Sequence, residues 1–144
     1  MATAPAVNGQ VIGMAHYATR AVAERLLPEG TTFHQALALS AAEGAGGTVE
    51  RRALIARLTG AVKLGLAAAE ATAVALTSAG LLEERPGDLL ALTPAGDALV
   101  QAYKAGVAGI AAELYGDLPA EDLAAAGRVL TEVTARADAM LAAG

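Results

Sequence analysis

Two histidines, one arginine and two tyrosines are the side chains with which this sequence could handle a small molecule. His16 and Arg20 stand one helical turn apart with Tyr17 beside them, and His34 and Tyr103 complete the set. An arginine grouped with histidine and tyrosine suits an anionic or aromatic molecule, through charge-assisted hydrogen bonds and stacking. The same groups could move a proton, as an isomerisation or cyclisation without a cofactor requires, with His16 and His34 as the candidate acid and base. A plainer role exists for each. Arg20 is spaced to pair with Glu24, Tyr103 can pack in a core with its hydroxyl satisfied, and a histidine in a first helical turn is usually surface.

Other chemistries lack their residues. With no cysteine there is no disulfide, thiolate zinc site or thiol redox switch. No carboxylate stands at a ligand spacing from either histidine, so no metal is expected. The Gly44-Ala45-Gly46-Gly47 run lacks the Lys-Ser/Thr of a phosphate-cradling loop. Ser40 and Ser78 are the only serines, and Ser40 has no acid or base within helical reach to activate it. No cofactor is expected.

Glycines, prolines and caps divide the chain into elements. Val11, Ala15, Ala18, Val22 and Leu26 form one stripe of a helix stopped by Pro28-Glu29-Gly30. Thr32-Phe33-His34-Gln35 is a capping box that opens a helix fading at Gly44. Thr48 is a candidate N-cap for a third helix ending at Gly60, and Gly65 is placed where a turn calls for positive φ. A fourth helix, roughly Leu66 to Ala79, stops at Gly80 as C′ residue. Two β-prone runs, Leu81–Arg85 and Leu89–Thr93, flank the turn Pro86-Gly87-Asp88. Thr93 as N-cap with Pro94 at N1 starts a helix running to Tyr115, striped by Leu99, Tyr103, Val107, Ile110 and Leu114, where Gly106 and Gly109 leave room for close approach. Pro119, Glu121 and Asp122 open a last helix with Leu123, Leu130, Val133, Ala137 and Met140 on one face. Helix, turn, helix and strand-turn-strand between residues 48 and 96 is the order of a winged helix-turn-helix.

The run Leu76-Thr77-Ser78-Ala79-Gly80-Leu81-Leu82-Glu83-Glu84-Arg85, followed by Leu92-Thr93-Pro94-Ala95-Gly96, resembles the MarR family of dimeric bacterial transcription regulators. The resemblance covers nearly the whole chain. It implies an all-α fold with a small β-wing, a winged helix-turn-helix region at 31–96, and dimerisation helices at 10–30 and 97–144, the whole 1–144 forming one unit. It implies a homodimer with a ligand pocket between the winged domain and the dimerisation helices, toward which His16, Tyr17, Arg20, His34 and Tyr103 would converge.

Where the family reads double-stranded DNA, this sequence departs from it. Positions that in the family carry serine, threonine and arginine hold Ala67, Ala68, Ala71 and Ala75, and alanine can neither donate nor accept a hydrogen bond to a base. The family's arginine-rich wing is reduced to Arg85. Arg51, Arg52, Arg57, Lys63 and Arg85 are the candidate phosphate contacts, but five acids between residues 48 and 96 balance them. The formal charge of −5 comes mostly from the C-terminal helices. The expectation is a ligand-binding regulator with weak or lost base reading, or, as the alternative, a repurposed relative that binds or converts a small cyclic or aromatic molecule. The N-terminus resembles no secretion signal and no apolar run reaches spanning length, which fits a cytoplasmic protein with no membrane partner.

Overall fold

The computed structural model describes residues 4–144. Its elements in order are α1 (Gly9–Glu24), α2 (Phe33–Gly44), β1 (Thr48–Glu50), α3 (Arg51–Gly60), α4 (Leu66–Ser78), β2 (Leu82–Arg85), β3 (Leu89–Leu92), α5 (Pro94–Tyr115) and α6 (Ala120–Ala143). The three strands form one antiparallel sheet in the order β1-β3-β2. Two compact units divide the chain, Met1–Ala108 and Gly109–Gly144, with α5 contributing to both.

In the first unit the caps anticipated from sequence form. Thr32 and Gln35 make the reciprocal capping box of α2, and a cap not read from the sequence, Asn8, accepts from Val11 N–H at the start of α1. Gly80 follows the last turn of α4 with φ 73°, the left-handed geometry that favours glycine after a helix. Thr93 Oγ1 accepts from Gly96 N–H at 3.0 Å and donates to the Gly80 carbonyl at 2.6 Å, so one hydroxyl both caps α5 and ties it to the end of α4. The core below is small and aliphatic: Leu39, Leu54, Leu58, Leu76, Leu82, Leu90 and Val100 are fully buried, with Ala69 and Ala73 letting α4 pack closely.

Three sequence expectations are corrected here. Thr48 does not cap a helix. It begins β1, which pairs Thr48, Val49 and Glu50 with Ala91, Leu90 and Leu89, so the wing is three-stranded and α3 starts at Arg51 with no side-chain cap. Gly65 does not take positive φ; it is the extended N-cap residue of α4, and Lys63 makes the left-handed step with φ 63°. Lys63 manages it with its Nζ donating to the Gly60 carbonyl, a local bond that helps hold the turn. The room expected at Gly106 is already filled, since a Cβ there would meet Leu26 Cδ2 at 2.7 Å; Gly109 has open space.

The second unit holds the end of α5 and all of α6. No residue of α6 is buried, and its Leu123, Leu130, Val133, Met140 and Leu141 are between 37% and 75% exposed. Such a row of apolar side chains on one helix is covered only if another surface packs on it. Among the described residues no helix is long and apolar enough to cross a membrane.

Candidate functional site

A concavity of about 640 Å³ opens where α1, the α1–α2 turn, the start of α2 and one face of α4 meet. Phe33, the first residue of α2, is part of its lining. The Arg20 guanidinium lies over the Phe33 ring, 4.6 Å from its centroid, while its Nε donates to Glu24 Oε1 at 3.2 Å. His34 meets Phe33 edge to face at 5.9 Å between centroids, and His16 does so at 6.5 Å. Tyr17, 69% exposed, lies tilted against His16 at 5.7 Å. Three of the five predicted ligand residues, His16, Arg20 and His34, are thus gathered around one ring, and Tyr17 joins them through His16. Of these four, Arg20 and His34 line the concavity, and His16 and Tyr17 stand on the aromatic cluster beside it.

Tyr103 stands apart. It is buried in α5 and does not line the concavity; burial, with the Glu24 carboxylate adding to it, pushes its phenol above its ordinary value. Phe33 and Glu24 are the contributors that the sequence reading did not place in the site. Phe33 had a signal: it is the chain's only phenylalanine, between a cap and a histidine at a helix start. A half-exposed aromatic there is more readily a platform than a core residue.

The far wall is a solvent-facing side of α4, made of Ala68, Ala71, Thr72 and Ala75. Three of the four alanines expected at base-reading positions therefore line this concavity. The Thr72 hydroxyl donates to the Ala68 carbonyl one turn back, so this wall offers a ligand apolar surface. The chemistry available is one cation already stacked and paired, one imidazole, the Glu24 carboxylate, and a small-residue wall against which a planar molecule fits.

The other exposed face of α4 carries Leu66, Ala67, Glu70 and Val74, with Leu66 60% and Val74 58% exposed. Beside it the basic residues are dispersed or occupied. Arg51 Nη2 donates to Glu84 at 2.7 Å and its Nε to Asp88 at 3.0 Å, and Arg85 Nη2 donates to Glu83 at 2.7 Å. Arg52 shares a groove of about 420 Å³ with Arg51, Glu70, Val74 and Asp88, whereas Arg57 lies in a different crevice, between α2 and α3. Among the described residues no three His, Asp or Glu side chains gather as a metal site would need.

No protein-family model matches the sequence, and no curated protein does. Solved structures do match, over most of their length. The regulator PcaV from Streptomyces coelicolor, in complex with its natural ligand, is 21% identical with a TM-score of 0.73, over 95% of this chain and 99% of that one. A MarR variant from E. coli in complex with operator DNA is 22% identical with a TM-score of 0.71, over 87% and 91%. BpsR from Bordetella bronchiseptica, whose DNA binding is regulated by 6-hydroxynicotinic acid, is 21% identical with a TM-score of 0.71, over 91% and 98%. This chain has the MarR fold. Within that fold it keeps the helix order and the wing, and it sets alanine, leucine, valine and one glutamate on the outer surface of α4.

Proposed function

We propose that this MarR-fold chain is a homodimeric small-molecule-binding protein, by its likeness a ligand-responsive transcriptional regulator, in which sequence-specific DNA reading is weak or lost. The observation that carries the reading is the concavity beneath α4: Arg20 over Phe33, His34 at its edge, and alanines at positions where a DNA reader would spend polar side chains. Similar structures bind a natural ligand or answer to a hydroxylated pyridine acid, which supports an aromatic acid as the class of molecule. In this chain such a ring would stack against the alanine wall, with its carboxylate drawn to Arg20 in competition with Glu24.

Calorimetry with 6-hydroxynicotinate and related hydroxylated aromatic acids tests it. At least one should bind, and Arg20→Ala should weaken that binding by about 1.5 to 3 kcal/mol, the value of a charge-assisted hydrogen bond. Equal affinity in Arg20→Ala and His34→Ala would place the ligand elsewhere. A second reading, cofactor-free proton-transfer catalysis, is favoured by one feature, the Glu24 carboxylate and the His34 imidazole lining the same concavity. In that case His34→Ala lowers turnover by roughly a hundredfold and leaves substrate binding nearly unchanged, whereas in a pure binder the same substitution acts on affinity alone.

A further inference from the structure

A second concavity, about 500 Å³ in volume, lies between the facing sides of α2 and α3 and shares no lining residue with the one beneath α4. Its reachable apolar lining is Leu37, Val49 and Val62, above the fully buried Leu54 and Leu58, and its walls are small, with Ala41 on α2, Ala53 on α3 and Ala61 at the C-cap of α3. Helices that meet through alanines on both sides leave a slot that their own side chains cannot fill, although protein interiors are otherwise close-packed. The slot has the size of a small-ligand site.

Two side-chain polar groups face this apolar lining, Arg57 and Ser40. Among the described residues the Arg57 guanidinium has no acidic or hydrogen-bond partner, and the Ser40 hydroxyl makes no hydrogen bond. That sets Arg57 apart from Arg20, Arg51 and Arg85, each held by a carboxylate. A free guanidinium at the rim of an apolar slot matches one kind of molecule: an apolar body ending in a carboxylate, which the planar fork can take bidentately.

We propose that the α2–α3 crevice is a binding site for a hydrophobic carboxylic acid, its apolar body on Leu37, Val49 and Val62, its carboxylate on Arg57 and a hydrogen bond from Ser40. The site works independently of the aromatic-acid concavity. Neutral and cationic amphiphiles of the same length lack the charge that Arg57 selects.

Isothermal titration calorimetry on the full chain with decanoate, decanol and decyltrimethylammonium tests this. Decanoate should bind once per chain, at least about tenfold more tightly than the other two. Arg57→Gln, an exposed change that leaves the core intact, should weaken decanoate about tenfold or more, as loss of a charge-assisted hydrogen bond implies. Ala41→Leu, which fills the slot, should abolish binding, and His34→Ala, in the other concavity, should leave it unchanged. Amide chemical-shift changes on titration should centre on Ser40, Ala41 and Ala53. Equal affinity for decanol, undiminished binding in Arg57→Gln, loss of binding in His34→Ala alone, or no decanoate binding would each overturn the proposal. If Ala41→Leu does not fold, the Arg57→Gln comparison and the shift map decide.

Discussion

Gly96→Ala is expected to lower the melting temperature by about 10 °C, the equivalent of roughly 3 kcal/mol in a chain of this size. A Cβ at this position would stand 2.0 Å from the Leu81 carbonyl oxygen and 2.9 Å from its carbonyl carbon. Both are backbone, so no rotamer change relieves the clash. The same Leu81 oxygen accepts from Thr93 N–H at 3.2 Å, and Thr93 in turn holds Gly80 and caps α5. Pushing Leu81 away therefore loosens the joint between α4, the wing and α5 together. Gly60→Ala is the control: a Cβ there meets nothing within 4 Å, and its φ is not positive. That variant should stay within about 1 kcal/mol of the parent protein. Melting curves of the three proteins at one concentration check it, and equal curves would mean that the wing and α5 do not meet as described.

The other large effect concerns assembly. Light scattering of the parent protein should give twice the 14.2 kDa mass of one chain, and the double substitution Leu130→Glu with Val133→Glu should return it to one. These two residues are 40% and 43% exposed in the single chain, on a helix that buries nothing, so charging them leaves each chain's fold alone. In a dimer that covers α6 they would be two carboxylates taken out of water without partners. Each costs several kcal/mol, raising the dissociation constant roughly a thousandfold or more. Helical circular dichroism should be retained in the variant. A parent protein of single-chain mass at every concentration would contradict the homodimer.

What the sequence made legible was local. The capping box at Thr32 and Gln35, Gly80 after α4 and the Thr93-Pro94 start of α5 each depend on residues within one turn, and they form as their types dictate. Gly96 was visible as part of a motif, but its reason, the approach of the Leu81 backbone, exists only in the folded chain. The strand β1 was not legible because three residues carry no periodicity, and Thr48–Glu50 becomes a strand only by pairing with Leu89–Ala91 about forty positions later. Lys63 in the left-handed turn was hidden for the opposite reason: a neighbouring glycine offered the cheaper candidate, and a side-chain bond to Gly60 favours the lysine.

The candidate site divides the same way. His16 and Arg20 follow from one helical turn, and the Arg20–Glu24 pair was equally visible. Phe33 joins α1 to α2 through its ring, a contact between helices that spacing along the chain cannot report. The ties from Arg51 to Glu84 and Asp88 span 33 and 37 residues. Charge counting foresaw neutrality in this region but not that one arginine would be held by two wing acids. Lys104 and Glu43 make a similar long-range pair, whose hydrogen bond lowers the Glu43 carboxyl below its ordinary value.

The most direct test of the account is fluorescence anisotropy with two labelled duplexes, one from the DNA upstream of the protein's own coding sequence and one of random sequence, each over a series of salt concentrations. A chain whose exposed α4 surface is Leu66, Ala67, Ala68, Glu70, Ala71 and Val74, and whose Arg51 and Arg85 are held by Glu84, Asp88 and Glu83, has little with which to read bases. Binding to both duplexes should be equal and weak, with no sequence preference at physiological salt. Sub-micromolar binding to the upstream duplex alone, steeply salt-dependent and abolished by Lys63→Ala with Arg85→Ala, would contradict it.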